Sequence, residues 1–356
     1  MKKELSSVDV RVLVSELKSI LGDYSVDKAY QVGGREFVFK LYGGGTAELV
    51  VAPNFMCVTK YKRHAPKSPS SFSMQLRKHL RGKRIMDIRQ HGFDRIVELI
   101  FENCTLVIEL FSKGNIILCE PGGKILGLLD WQKWKDRTLG VGKTYEYPPT
   151  AEDPYSVDFE MFKSLVLGSE RGCAAALATK LSLGGYYAEK ICEDASINPK
   201  KEVDDEDVVI LWTAFENFRK RVDGKADASA SEDNVVPFGG DWEKYSSFNE
   251  AVDEYFSTRQ IATDEETVKS GVDSKRQKFE QILEKQKAAF EEAKIIVDVE
   301  KAAGDSIYQS MHQIEEVVSY IRAERKKNVG DSQILEGLRS RGIVKGLKGY
   351  DLVFEL

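Results

Sequence analysis

The chain has 356 residues, 42% of them apolar and 31% charged, with a net charge of −5 at pH 7. That length and apolar content suit two or three domains with real cores. No uncharged apolar run approaches the ~20 residues of a membrane span, and MKKELSSVDV at the start has no apolar core behind its lysines, so neither an anchor nor a secretory signal is expected.

Five cysteines (Cys57, Cys104, Cys119, Cys173, Cys192) without a CxxC spacing, beside four histidines, argue against a zinc site. They are expected as reduced, buried thiols of a cytoplasmic protein.

Residues 8–21 carry apolar side chains at helical spacing, with Ser6 or Ser7 available as a cap. The period then changes to two. Residues 25–32, 35–41, 46–51 and 55–59 read as strands separated by Gly33-Gly34, Gly43-Gly44-Gly45 and Pro53-Asn54. Strand rather than helix follows the triple glycine, which favours a hairpin turn over a phosphate loop.

Residues 60–95 read KYKRHAPKSPSSFSMQLRKHLRGKRIMDIRQHGFDR, with eleven Lys/Arg against Asp87 and Asp94. A local charge of +9 in an acidic chain predicts a concentrated cationic face suited to nucleic-acid phosphate. Lys62, Arg63, Arg77, Lys78, Arg81, Lys83, Arg84 and Arg89 are its candidate backbone contacts. Within it, residues 70–80 form a capped helix with Arg77 and Lys78 outward.

Strands resume at 84–90, 93–101, 105–110, 116–119 and 125–129. The first ~150 residues are therefore expected as eight or nine antiparallel strands with two helices, an α+β domain built on a sandwich-like sheet. Trp131 and Trp134, in DWQKWKDR, can stack on bases or pack under the sheet, and packing is the expectation. GVGKT at 140–144 imitates a Walker A end, but Arg137 replaces the first glycine and Pro148-Pro149 forbids the helix that must follow.

Residues 158–222 are helical in pattern, with a helix, a Gly184-Gly185 hairpin and a second helix between 172 and 195. The free backbone N–H groups after such a hairpin can receive a phosphate. Residues 203–222 make another helix, 223–233 a polar linker, and 247–259 a short amphipathic helix. From 273 a heptad-like seam appears: Phe279, Leu283, Gln286, Phe290, Ala293 and Val297, repeated from Ile307. It reads as the outgoing half of an antiparallel coil whose returning helix is absent, which leaves the seam to be covered by its own domains or a second copy.

Asp94 and Arg95, at the end of the basic stretch, are placed by strand alternation on opposite faces, so each needs a separate partner. His91 is nearby, but no nucleophile accompanies it in a recognisable motif. No catalytic set, metal site or cofactor is indicated.

FSMQLRKHLRGKRI, FDRIVELIF, SKGNIIL, GKTYEYPP, LSLGGYYAEKIC and FNEAVDEYFS occur here in the order of the NFACT family, which the whole chain resembles. The family holds RqcH- and NEMF-like ribosome quality control factors, also labelled fibronectin-binding protein A-like. The resemblance implies an NFACT-N domain at 1–168, similar in fold to the N-domain of formamidopyrimidine-DNA glycosylases, a helix-hairpin-helix domain at 169–268, and part of a middle coiled coil at 269–356. It further implies binding of a stalled large ribosomal subunit and tRNA, with nascent-chain quality-control machinery as partner, and template-free C-terminal tailing. The pair required for tRNA recruitment falls on Asp94 and Arg95. Bond formation would belong to ribosomal RNA, so the chain is not expected to be an enzyme. Two other readings are weighed: glycosylase-type DNA repair, which the Met1-Lys2-Lys3 start disfavours because the nucleophilic proline is missing, and an adhesin, which the absent signal disfavours.

Overall fold

The computed structural model describes residues 1–111, 113–134, 137–339, 344–348 and 351–354, with the helical backbone alone for 260–275. Contacts divide it into two compact units, 1–266 and 267–356.

Helix α1 (Ser7–Leu21) starts from a capping box in which Ser6 and Asp9 each receive the other's backbone N–H. Four antiparallel strands follow: β1 (Ser25–Val32), β2 (Glu36–Tyr42), β3 (Thr46–Val51) and β4 (Met56–Val58), paired in chain order. Helix α2 (Ser71–Leu80) is capped by Ser70 and buries Phe72, Leu76 and Leu80. A second antiparallel meander comprises β5 (Asp87–Gln90), β6 (Ile96–Phe101), β7 (Cys104–Glu109), β8 (Ile116–Cys119) and β9 (Ile125–Leu128). These nine strands and two helices match the expected count, and alternate residues of both sheets, such as Phe37 and Leu99, enter one core with α1 and α2. The other face of the second sheet forms a smaller core of Ile96, Val107, Ile117 and Tyr145. It is covered by the ribbon β10 (Gln132–Lys133) and β11 (Thr138–Leu139), which two-residue strands leave no periodicity to announce.

Helices α3 (Phe159–Val166), α4 (Cys173–Lys180), α5 (Gly185–Asp194) and α6 (Asp205–Val222) come next. The tract 223–233 is more than a linker. Its buried Ser229 and Ala230 form β12, which pairs with β13 (Val235–Val236) and β14 (Glu243–Lys244). Helix α7 (Phe248–Val252) and a π-turn (Asp253–Ser257) close the first unit against its own beginning. Glu16 of α1 accepts the Phe248 and Asn249 N–H groups, and the Asn249 side chain pairs with both backbone groups of Val58 at 2.7 and 2.9 Å. An amide that copies a strand's hydrogen bonds protects the edge of β4.

Helix α8 (Thr258–Gln309) leads into the second unit, followed by α9 (Met311–Lys326), α10 (Asp331–Arg339) and the hairpin of β15 (Val344–Lys348) and β16 (Asp351–Phe354). Val317, Ile321, Ile334, Leu338 and Val344 form its core.

Asp9 joins distant parts of the first unit. It is fully buried; Oδ2 receives the Lys2 ammonium at 2.7 Å, and Oδ1 receives the Tyr187 hydroxyl of α5 at 2.6 Å. Burial and this carboxylate push the Tyr187 phenol well above its usual range. Asp9→Ala should cost about 3–5 kcal/mol, because it strands a buried ammonium and hydroxyl. Urea unfolding would measure it, and a loss under about 1 kcal/mol would mean that the contact is not a keystone.

Candidate nucleic-acid interface

The basic stretch does not form the continuous free face that its composition suggested. Six of its eleven cations meet carboxylates: Lys60 with Glu254, Arg63 with Glu36, Lys83 with Glu102, Arg84 with Asp23, Arg89 with Glu98, and Arg95 with Glu4. Arg63 is a correction in itself. Only 3% of its side chain is exposed, and it also donates to Thr59 Oγ1 and the Tyr61 carbonyl, so it braces the sheet rather than facing a ligand. Arg77 is half-buried and donates to the Ala29 carbonyl at 2.7 Å. Lys62, Lys67, Lys78 and Arg81 are exposed and have no ion pair among the described residues. The partners that neutralise the paired six arrive from β2, β6, the α1–β1 and β6–β7 turns, the N-terminus and the π-turn, all of them outside the 60–95 window along the sequence.

Asp94 and Arg95 lie in the β5–β6 turn, just before the strand that the sequence had them opening. Asp94 Oδ1 accepts the N–H of the next residue, Arg95, at 2.7 Å, a local side-chain to backbone contact within the turn. The Arg95 carbonyl accepts from Leu110 N–H at 2.7 Å, so the ladder to β7 begins here. The Arg95 guanidinium pairs with Glu4 and stands 5.8 Å from the centre of the Phe111 ring. The two side chains therefore have separate company, and both remain half-exposed. Gly114 makes the neighbouring β7–β8 loop possible: a Cβ there would sit 1.9 Å from the Glu109 carbonyl oxygen.

His91 is not an isolated surface histidine. It stacks on Tyr147 with ring centres 3.5 Å apart, and Nδ1 is 3.6 Å from Glu98. Trp131 and Trp134 correct the packing expectation, being 67% and 39% exposed. In the α4–α5 hairpin, Gly184 adopts φ +76° and caps α5 without a side-chain partner. The first N–H groups of α5 after Gly184 and Gly185 thus have no side-chain cap.

An α+β unit of two antiparallel meanders closed by short helices, followed by a helical unit, is the class defined by this architecture. The chain belongs to the NFACT family: residues 6–330 match the family described as NFACT N-terminal and middle domains. It is 32% identical over 357 residues to the archaeal Rqc2 homolog aRqcH of Methanocaldococcus jannaschii, covering 92% of this chain and 53% of that protein. It is 31% identical over 135 residues to the human ribosome quality control complex subunit NEMF, covering 36% of this chain and 12% of that one. The chain thus spans about half the length of the first relative and less of the second. In structure, it is similar to the N-terminal part of the fibronectin/fibrinogen-binding protein of Streptococcus suis. The TM-score is 0.61 at 22% identity, over 72% of this chain and all of that one. That likeness concerns the fold.

Two buried carboxylates that sequence reading missed lie behind the Asp94 turn. Glu98 is fully buried and receives Arg89 and the Tyr147 hydroxyl. Glu109, opposite Ile96 in the ladder, is also fully buried and receives Arg137 and, at 2.9 Å, the Tyr145 hydroxyl. Burial raises the Glu109 carboxyl above its usual range despite Arg137, and nearby Asp94 adds to the rise. A charged residue at alternating positions of an otherwise apolar strand (IVELIF, CTLVIE) was the available signal.

A raised carboxyl binds its proton more tightly in the folded chain. Its contribution therefore favours folding as pH falls toward the carboxylate range and is lost as pH rises through the folded value. Arg137→Ala should cost about 3–5 kcal/mol near neutrality and less at about pH 5, and adding Glu109→Gln should recover most of the loss. Urea titrations of the single and double variants at both pH values check this; no recovery in the double variant would show that Arg137 acts through packing alone.

Proposed function

We propose that this chain carries the tRNA-facing part of a cytoplasmic ribosome quality-control factor. In this reading it engages a split large ribosomal subunit bearing a stalled peptidyl-tRNA, recruits tRNA through the Asp94 turn, and supports template-free tailing of the nascent chain. Peptide-bond formation stays with ribosomal RNA, so the chain binds and positions rather than catalyses. The α4–α5 pair serves as a helix-hairpin-helix whose Gly184-Gly185 end offers N–H groups to phosphate. The exposed Phe279, Leu283, Phe290 and Val297 of α8 suit a coiled-coil seam, open to a second copy of this chain.

The single observation that carries the reading is the state of Arg95, in a chain of this family. Its guanidinium is oriented by Glu4 and Phe111 yet remains half-exposed, an arrangement that can hand a fixed cation to an RNA phosphate. Lys62, Lys67, Lys78 and Arg81, exposed and without an ion pair among the described residues, supply the less specific attraction.

Asp94→Ala/Arg95→Ala should leave stability within about 1 kcal/mol, as expected for half-exposed pairs. It should weaken tRNA binding roughly 10-fold or more through loss of a charge-assisted contact. Filter binding and co-sedimentation with purified large subunits measure both forms of recruitment. With three or four phosphates neutralised, log affinity should fall with log salt at a slope of about −3. Unchanged tRNA occupancy in the variant, or salt-insensitive binding, would rule the reading out.

A further inference from the structure

We propose that Trp131, with Lys113, Lys133 and Lys143, forms a stacking platform for an unpaired RNA base and its flanking phosphates. The proposal deepens the RNA-binding reading above and rests on it.

An indole that could bury a large apolar area is here 67% exposed. It is nevertheless fixed in place: a Cβ on Gly140 would sit 3.1 Å from Trp131 Cδ1 and Nε1, and 3.9 Å from Lys143 Cγ. The ring and the Lys143 stem therefore meet over one glycine, which leaves no room for a side chain beneath them. Lys133, two residues on, is exposed and lies opposite Thr138 in the ribbon. The intervening Gln132 donates to the Lys113 carbonyl at 2.9 Å and draws the β7–β8 loop alongside.

The charges nearby are uneven in a telling way. Asp130 is engaged by Arg35 at 2.8 Å and Glu120 by Lys124 at 3.7 Å. Lys113, Lys133 and Lys143 are exposed and have no ion pair among the described residues. Six of the eleven cations of the 60–95 stretch are paired with carboxylates, whereas these three have no ion pair among the described residues.

Topology links the platform to the Asp94 turn. In the five-stranded meander, the β5–β6 turn, the β7–β8 loop and the segment after β9 emerge at the same end. Arg95 faces Phe111 in that same β7–β8 loop, two residues from Lys113. A flat aromatic face ringed by ammonium groups suits a base whose π-face is accessible, and it accepts any of the four bases. A duplex hides those faces within its stack. Charge complementarity thus favours single-stranded RNA over an apolar peptide.

The test compares the whole chain with Trp131→Ala, Trp131→Phe and Lys133→Glu/Lys143→Glu. Probes are whole tRNA, an oligouridylate of about 12 nucleotides and a duplex RNA of equal length. Trp131→Ala should weaken oligouridylate binding roughly 5- to 150-fold, with Trp131→Phe intermediate and duplex binding unchanged. Saturating oligouridylate should quench tryptophan fluorescence in the parent and much less in Trp131→Ala. The double lysine variant should weaken both probes and flatten the salt dependence. Because Trp131 is exposed, its loss should leave the fold intact, as circular dichroism can verify. If the parent binds tRNA and Trp131→Ala matches it on the single strand, the platform is overturned while the RNA reading survives; the indole is then a contact for protein. If the parent binds neither tRNA nor oligouridylate, both fall together.

Discussion

Asp9 is the point at which the first unit is tied together. Its carboxylate is fully buried, a state that costs several kcal/mol unless the lost water is replaced. The replacements come from three parts of the chain: Lys2 before the helix, Ser6 at its cap, and Tyr187 in α5. Lys2 in turn gives its ammonium to the Val235 carbonyl and its own carbonyl to the Tyr255 hydroxyl. The N-terminal segment is thereby held between the sheet and the helical region. Contacts accordingly run unbroken through 1–266, across the boundary near residue 168 that composition and family likeness suggest.

The same constraint, that a charge removed from water must be matched inside, takes Arg63 and Arg89 out of the basic stretch. Glu36, Glu98 and Glu109 sit on strands with at most a few per cent exposure, and each demands a cation. Arg63, Arg89 and Arg137 meet that demand. A +9 window along the sequence is thus a count of donors, part of which the fold consumes. Surface charge is what remains after buried acids have been served.

Much of the architecture was nonetheless legible. Strands over 25–32, 46–51 and 116–119 are found with those bounds, because period-two patterning between glycine turns has few other solutions. Ser6 and Ser70 cap their helices as their position implied. The misses have physical causes. The ribbons β10–β11 and β12–β14 have strands of two residues, too short to carry a period, and are made by burial of Ser229 or Leu139. The start of β6 shifted from 93 to 96 because Asp94 bonds the next N–H and bends the chain before the ladder begins. At the site, the place of Asp94 and Arg95 at the end of the basic stretch could be read from the sequence, but their partners follow from the turn before β6 and not from strand alternation. Glu4 and Phe111 could not be read, since they are 91 residues before and 16 after.

Burial also sorts the cations by what they can give away. Arg63 and Arg137 each face a carboxylate that is almost wholly buried, so transferring either to a phosphate would leave that carboxylate unmatched in the interior, at several kcal/mol. Glu4 is 33% exposed, and a pair at that depth contributes about 1 kcal/mol or less. Water can take over the Glu4 carboxylate when Arg95 turns to a phosphate, and the exchange is nearly free. Lys113, Lys133 and Lys143 have no ion pair to give up among the described residues. The end of the second sheet is therefore one part of the unit where an anion could bind without unmaking the fold, as are the exposed Lys62, Lys67, Lys78 and Arg81.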